Sequence, residues 1–150
     1  MPPVYHDDME QKPPDPVDRR SRVLVIDDHR DSGELVRRVA EKAGFEVMVT
    51  DKAERFRELC AEFAPDLICL DIVMPQEDGI ELIRWLGQSG CAAAIYIISG
   101  HSPAYARAAI ELGRSHGLNI VGTLQKPVSL SSLRDMLLAA RPGSRQSAAD

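Results

Sequence analysis

Continuous apolar runs decide most of what this chain can fold into. Val23-Leu24-Val25-Ile26 and Leu67-Ile68-Cys69-Leu70 are unbroken, whereas a strand with one wet face alternates apolar and polar residues. A strand that is apolar on every side has to be covered on both faces, and sheets of such strands are parallel, with helices above and below. The segments between the runs have the helical period this requires. Leu35, Val36, Val39, Ala40 and Ala43 form one stripe, with Asp31 and Glu34 at capping-box spacing ahead of it and Gly44 as a stop. Ala53, Phe56, Cys60 and Phe63 form a second stripe, ended by Pro65, and Ile80, Ile83 and Leu86 a third. Pro103 opens a fourth helix through about Arg114, and Ser129 is placed to cap a fifth that carries Leu130, Leu133, Leu137 and Ala140. Strands are expected at Val23–Ile26, Glu46–Thr50, Leu67–Asp71, Ala94–Ser99 and Ile120–Gln125. Five strands alternating with five helices predict an α/β doubly wound parallel sheet with right-handed crossovers. All strands then send their carboxyl ends to one edge.

That edge is chemically loaded. Asp27 and Asp28 close the first run, and Asp71 closes the third, ahead of Met74-Pro75 and Asp78-Gly79. Ser99 ends the fourth strand before Gly100, and Lys126-Pro127 follows the fifth. Two carboxylates about 4 Å apart repel by roughly 4 kcal/mol at an effective dielectric near 20, so three of them need a cation or Lys126 to compensate, or must retain protons. Oxygen donors select hard ions, and Mg²⁺ uses one or two carboxylates while keeping several waters. A divalent ion and the Lys126 ammonium beside Asp71 suit a phosphoryl group. Asp71 is then the nucleophile, with Ser99 donating a further hydrogen bond.

A length of 150 residues suits one domain, and a net charge of −5 argues against nucleic acid as a direct partner. The basic pairs Arg19-Arg20 and Arg37-Arg38 sit beside acids and read as solvated faces. No run approaches the roughly 18 apolar residues of a membrane span. Cys60 and Cys69 read as small core hydrophobes and Cys91 as an exposed loop residue, with no metal or redox spacing among them. A cytoplasmic location follows as the expectation. Residues 1–21 hold five prolines and few large apolar residues, so a flexible tail is expected there and at 142–150, flanking a folded domain over 22–141.

Taken in order, Asp27-Asp28, Asp71 with Met74-Pro75 and Asp78-Gly79, Ser99, and Lys126-Pro127 resemble the receiver domain of two-component response regulators. The resemblance spans about residues 22–141. It implies a flavodoxin-like (CheY-like) fold with strand order 2-1-3-4-5. It further implies Mg²⁺ held by Asp28, Asp71 and the Val73 carbonyl, with Asp27 acting through a water. Asp71 would be phosphorylated by a histidine kinase or a histidine phosphotransfer protein, and Ser99 and Lys126 would contact the phosphoryl group. Such a protein is a signalling phosphoacceptor and not a turnover enzyme. It would be a monomer or weak homodimer, read by a downstream protein through the fourth helix, fifth strand and fifth helix.

Some positions depart from the family pattern or invite competing readings. Thr123 stands three residues before Lys126, where receivers usually carry an aromatic residue that rotates on activation. Between Ser99 and Lys126 the chain is longer than usual and is similar to receivers that precede EAL-type cyclic-di-GMP phosphodiesterase domains. A stand-alone receiver is expected over the amino-terminal piece of a larger regulator with an EAL or DNA-binding domain. A Mg²⁺-dependent phosphohydrolase of the haloacid-dehalogenase type normally wants a second Asp where Val73 stands. His29 reads as pointing along its loop to solvent, and His101 as either an exposed loop residue or a modulator of water attack. Trp85 reads as a partly buried helix residue, and Asp78 as serving a turn with Gly79.

Overall fold

In this computed structural model the described residues are 20–72, 79–100 and 103–140. Five strands form one sheet: β1 (Arg22–Ile26), β2 (Glu46–Thr50), β3 (Leu67–Asp71), β4 (Ala94–Ser99) and β5 (Asn119–Gln125). Helices α1 (Arg30–Lys42), α2 (Ala53–Glu62), α3 (Gly79–Ser89), α4 (Pro103–Ser115) and α5 (Leu130–Ala139) alternate with them. The order across the sheet is β2-β1-β3-β4-β5, and every neighbouring pair is parallel. The expected architecture, strand order and strand placements all hold.

The unbroken apolar runs divide by alternation. Leu24 and Ile26 of β1, with Ile68 and Leu70 of β3, point to one face, where Phe56 and Leu59 of α2, Leu82, Ile83 and Leu86 of α3 and Ala109 of α4 cover them. Val23, Val25, Leu67 and Cys69 point to the other, under Val36 and Ala40 of α1 and Leu133, Met136 and Leu137 of α5. Each central strand is therefore apolar throughout because it feeds two cores. Trp85 is half-buried, edge-on to Phe56 with ring centroids 6.5 Å apart.

Local signals fared differently. Ser129 caps α5 by accepting from Ser132 N–H at 3.1 Å, and Gly44 ends α1 with a φ of 99°. The capping box at Asp31 and Glu34 does not form. Helix α1 begins at Arg30, with His29 at the N-cap, so Asp31 already lies in the first turn and Glu34 bonds Arg37 at 3.1 Å. Only three residues separate β1 from α1. Cys91, expected in the open, is half-buried, and that burial raises its thiol pKa.

One feature of β5 escaped the sequence reading. Its ladder with β4 shifts between Ile95 and Tyr96, whose partners are Ile120 and Gly122, so Val121 is an extra residue. The bulge reverses the side-chain phase: Ile120 joins the α2–α4 face, while Leu124 joins the α1/α5 face. Gly122 then lies under the Tyr96 ring, where an added Cβ would come within 2.9 Å of Cε1. A glycine inside a strand was the available signal.

Candidate functional site

The carboxyl ends of β1, β3 and β4 and the residue after β5 converge, as parallel topology requires. Asp27 and Asp71 are 2% and 1% exposed, although each is an acid, because they continue strands whose neighbours are wholly buried. Ser99, at the end of β4, is 4% exposed. Lys126 is drawn beside it by a main-chain bond from Lys126 N–H to the Ser99 carbonyl at 2.9 Å. The Lys126–Pro127 peptide bond is cis.

The Lys126 ammonium bridges the two buried acids. Nζ lies 3.1 Å from Asp71 Oδ2 and 3.2 Å from Asp27 Oδ1. Burial alone would lower the lysine pKa, but the charges of Asp27 and Asp71 outweigh it and raise the value above the usual one. Asp27 Oδ1 also accepts from the His29 backbone N–H at 2.8 Å. The opposite oxygen, Asp27 Oδ2, is buried without a hydrogen-bond partner, and so is Asp28 Oδ1. Buried acceptors are rarely left unpaired, and two at one place mark room for a cation. Donor atoms from Asp27, Asp28, His29 and Asp71 lie within 4.8 Å of one another. The residues therefore fit a divalent ion, and their carboxylates fit Mg²⁺ in particular.

Most of the residues singled out from the sequence come together here: Asp27, Asp28, Asp71, Ser99 and Lys126. Val73, Met74, Pro75, Asp78 and His101 lie outside the described residues. His29 is 68% exposed, as expected, but its Nδ1 does not point to solvent; it stands 3.3 Å from Asp28 Oδ1. The cause is its own backbone, which Asp27 holds at the N-cap of α1. Gly79 is buried at the start of α3, and an added Cβ would run into the Ile72 backbone, so close approach demands glycine there. That contact pins the residue after Asp71. Thr123 is exposed and, with Ser99, Ala106 and Ile110, lines a cavity of about 230 Å³ between α4 and β5.

Comparison with known proteins agrees with this geometry. The family model "Response regulator receiver domain" matches residues 23–138. The chain is 36% identical over 95 residues to the virulence-factor transcription regulator BvgA of Bordetella pertussis, covering 62% of this chain and 46% of that protein. It is 34% identical over 117 residues to protein-glutamate methylesterase/protein-glutamine glutaminase 5 of Myxococcus xanthus, covering 75% of this chain and 32% of the relative. The chain thus spans less than half the length of these curated relatives. Among solved structures, a response regulator from Colwellia psychrerythraea superposes with a TM-score of 0.69 at 27% identity, covering 85% of this chain and 99% of the other. The signal receiver domain of a LuxO repressor protein from Vibrio parahaemolyticus shares the fold, with a TM-score of 0.73 at 19% identity over 87% of this chain and 97% of the other. A parallel sheet of matching order, with acids, serine and lysine gathered at its carboxyl edge, and a family match across the whole folded region lead to one conclusion: the chain belongs to the response regulator receiver domain family of two-component systems.

Proposed function

We propose that Asp71 accepts a phosphoryl group from a phosphohistidine on a histidine kinase or histidine phosphotransfer protein, in a Mg²⁺-dependent transfer. The observation that carries this reading is the Lys126 ammonium placed 3.1 Å from Asp71 and 3.2 Å from Asp27, with two further buried carboxylate oxygens unpartnered. A carboxylate oxygen of Asp71 forms the new bond to phosphorus. The bond from phosphorus to the donor imidazole breaks, and that nitrogen keeps the electron pair. Asp28, Asp71 and the Val73 carbonyl would hold Mg²⁺, with Asp27 acting through a water; when bound, the ion neutralises phosphoryl oxygens. Lys126 pairs with a second phosphoryl oxygen, and Ser99 donates to a third.

Readout follows from the same contacts. Ser99 and Lys126 are joined by a main-chain bond, so pulling both towards a phosphoryl group shifts the ends of β4 and β5 together. Such a shift changes the populations of two surface states. Val121 and Leu130 are the exposed large hydrophobic residues of the described chain, and they lie on β5 and at the start of α5. The α4-β5-α5 face is the docking surface for a downstream protein in this reading. Thr123 carries no ring, so this reading relies on Ser99 and Lys126 and not on ring rotation. A longer regulator with an EAL or DNA-binding domain is a second reading; BvgA, to which the chain is similar, is a transcription regulator.

Intact-mass spectrometry after incubation with Mg²⁺ and acetyl phosphate tests the acceptor. One added phosphoryl group in the wild type, and none in Asp71→Asn, is the expected result. An adduct of equal extent in the variant would overturn the assignment of Asp71. Absence of any adduct with acetyl phosphate and with a panel of phosphorylated histidine kinases would overturn the phosphoacceptor reading itself.

A further inference from the structure

His29 adds a nitrogen to an otherwise all-oxygen site. Its backbone N–H donates to Asp27 Oδ1 at 2.8 Å, which fixes where the side chain leaves the main chain. From there Nδ1 turns inward, 3.3 Å from Asp28 Oδ1, 3.7 Å from Asp27 Oδ1 and 3.5 Å from Lys126 Nζ. Nδ1 thus faces the two acids and the ammonium. The lone pair of Nδ1 and one oxygen from each of Asp27, Asp28 and Asp71 all fall within 4.8 Å. Metal–ligand bonds to nitrogen and oxygen are about 2.0 to 2.2 Å, so the set would draw together on binding. Asp27 Oδ2 and Asp28 Oδ1, buried and unpartnered, supply lone pairs that such an ion would satisfy.

We infer that the His29 imidazole is a ligand of the divalent ion at this edge, and that it turns the site's preference from Mg²⁺ towards borderline first-row ions such as Mn²⁺, Co²⁺ and Zn²⁺. This rests on the carboxylate metal site proposed above and names a residue that tunes it. Imidazole nitrogen binds borderline ions well and adds little for Mg²⁺, which is committed to oxygen. The ring is largely exposed, so it turns at small cost. Lys126 gives up Nδ1 in the loaded site and keeps its two carboxylate partners.

Mn²⁺ is the probe that separates the outcomes. Pulsed electron paramagnetic resonance on the full chain loaded with Mn²⁺ detects a directly bound nitrogen as modulation of the echo. The wild type is expected to show imidazole coupling, and His29→Ala to lose it. Titration should show Mn²⁺ binding weakened about tenfold or more by the substitution, on the scale of lost metal-site interactions. Mg²⁺ binding should change by less than about twofold. Equal Mn²⁺ affinity in both proteins, or nitrogen coupling that survives in His29→Ala, overturns the role of His29 and leaves the carboxylate site standing. Failure of the wild type to bind either ion overturns the metal site together with this inference.

Discussion

Asp71→Asn offers a quantitative test of the electrostatics at the sheet edge. Donor oxygens of Asp27, Asp28 and Asp71 lie within 4.8 Å of one another. At an effective dielectric of about 20, each such pair repels by roughly 3 to 4 kcal/mol, so Asp71 carries about 7 kcal/mol of repulsion from its two neighbours. Attraction to Lys126 at 3.1 Å returns roughly 5 kcal/mol on the same scale. Asparagine keeps the shape and an acceptor for Lys126 while removing the charge. In the presence of a chelator the variant is therefore expected to be more stable than the wild type by about 1 to 2 kcal/mol. Saturating Mg²⁺ reverses the order. An ion present at 100 times its Kd adds about 2.7 kcal/mol to the protein that binds it, and the wild type binds it with one more carboxylate. Urea unfolding followed by far-ultraviolet circular dichroism, with and without Mg²⁺, measures both differences. A variant less stable than the wild type under chelation would show that Lys126 over-compensates the acids, and the reasoning would fail.

Three further perturbations probe the frame around the site. Gly79→Ala forces a Cβ against the backbone of Ile72, and an overpacking loss of about 1 to 3 kcal/mol is expected, with reduced labelling of Asp71 by acetyl phosphate; thermal unfolding and mass spectrometry read the two effects. Ser129→Ala removes the α5 cap and should cost about 0.5 to 2 kcal/mol in urea unfolding while leaving labelling unchanged. Burial, reinforced by the charge of Asp27, pushes the Cys69 thiol up to about 12 from 9.0. Because the folded value is the higher one, its contribution is intact below pH 9 and is lost as pH rises towards 12. Compared with Cys69→Ala, the wild type should lose stability more steeply between about pH 9 and 11, by roughly 2 kcal/mol; parallel slopes in the two proteins would contradict this.

Strand positions and the acidic edge were legible because each depends on short-range pattern. Val23–Ile26 and Leu67–Leu70 are apolar at every residue, and only a doubly covered strand explains that. Once the strands are parallel, topology alone brings Asp27, Asp71 and Lys126 to one place. What stayed hidden depends on contacts between segments. The β5 bulge sets Gly122 under the Tyr96 ring, and nothing within β5 specifies that partner. His29 was read by its place in a loop, whereas the hydrogen bond from its N–H to Asp27 decides where its ring goes. Glu34 could serve a cap or an ion pair, and the early start of α1 gave it to Arg37.

The Lys126 bridge has a consequence for how the protein matures. Its two ion pairs join residues 99 and 55 positions apart in the chain, Asp27 and Asp71 respectively. During synthesis the acids emerge first, and β1, β2 and β3 can pair long before Lys126 leaves the ribosome. Until then two acids meet with no ammonium between them, at the stage when the partly formed sheet is least able to bear the repulsion. Long-range contacts of this kind are also the slowest to close. Addition of the edge strand β5 is thus the step that both offsets part of the acids' repulsion and completes the sheet. The cluster of acids and ammonium is complete only once the last strand of the described residues has joined the sheet.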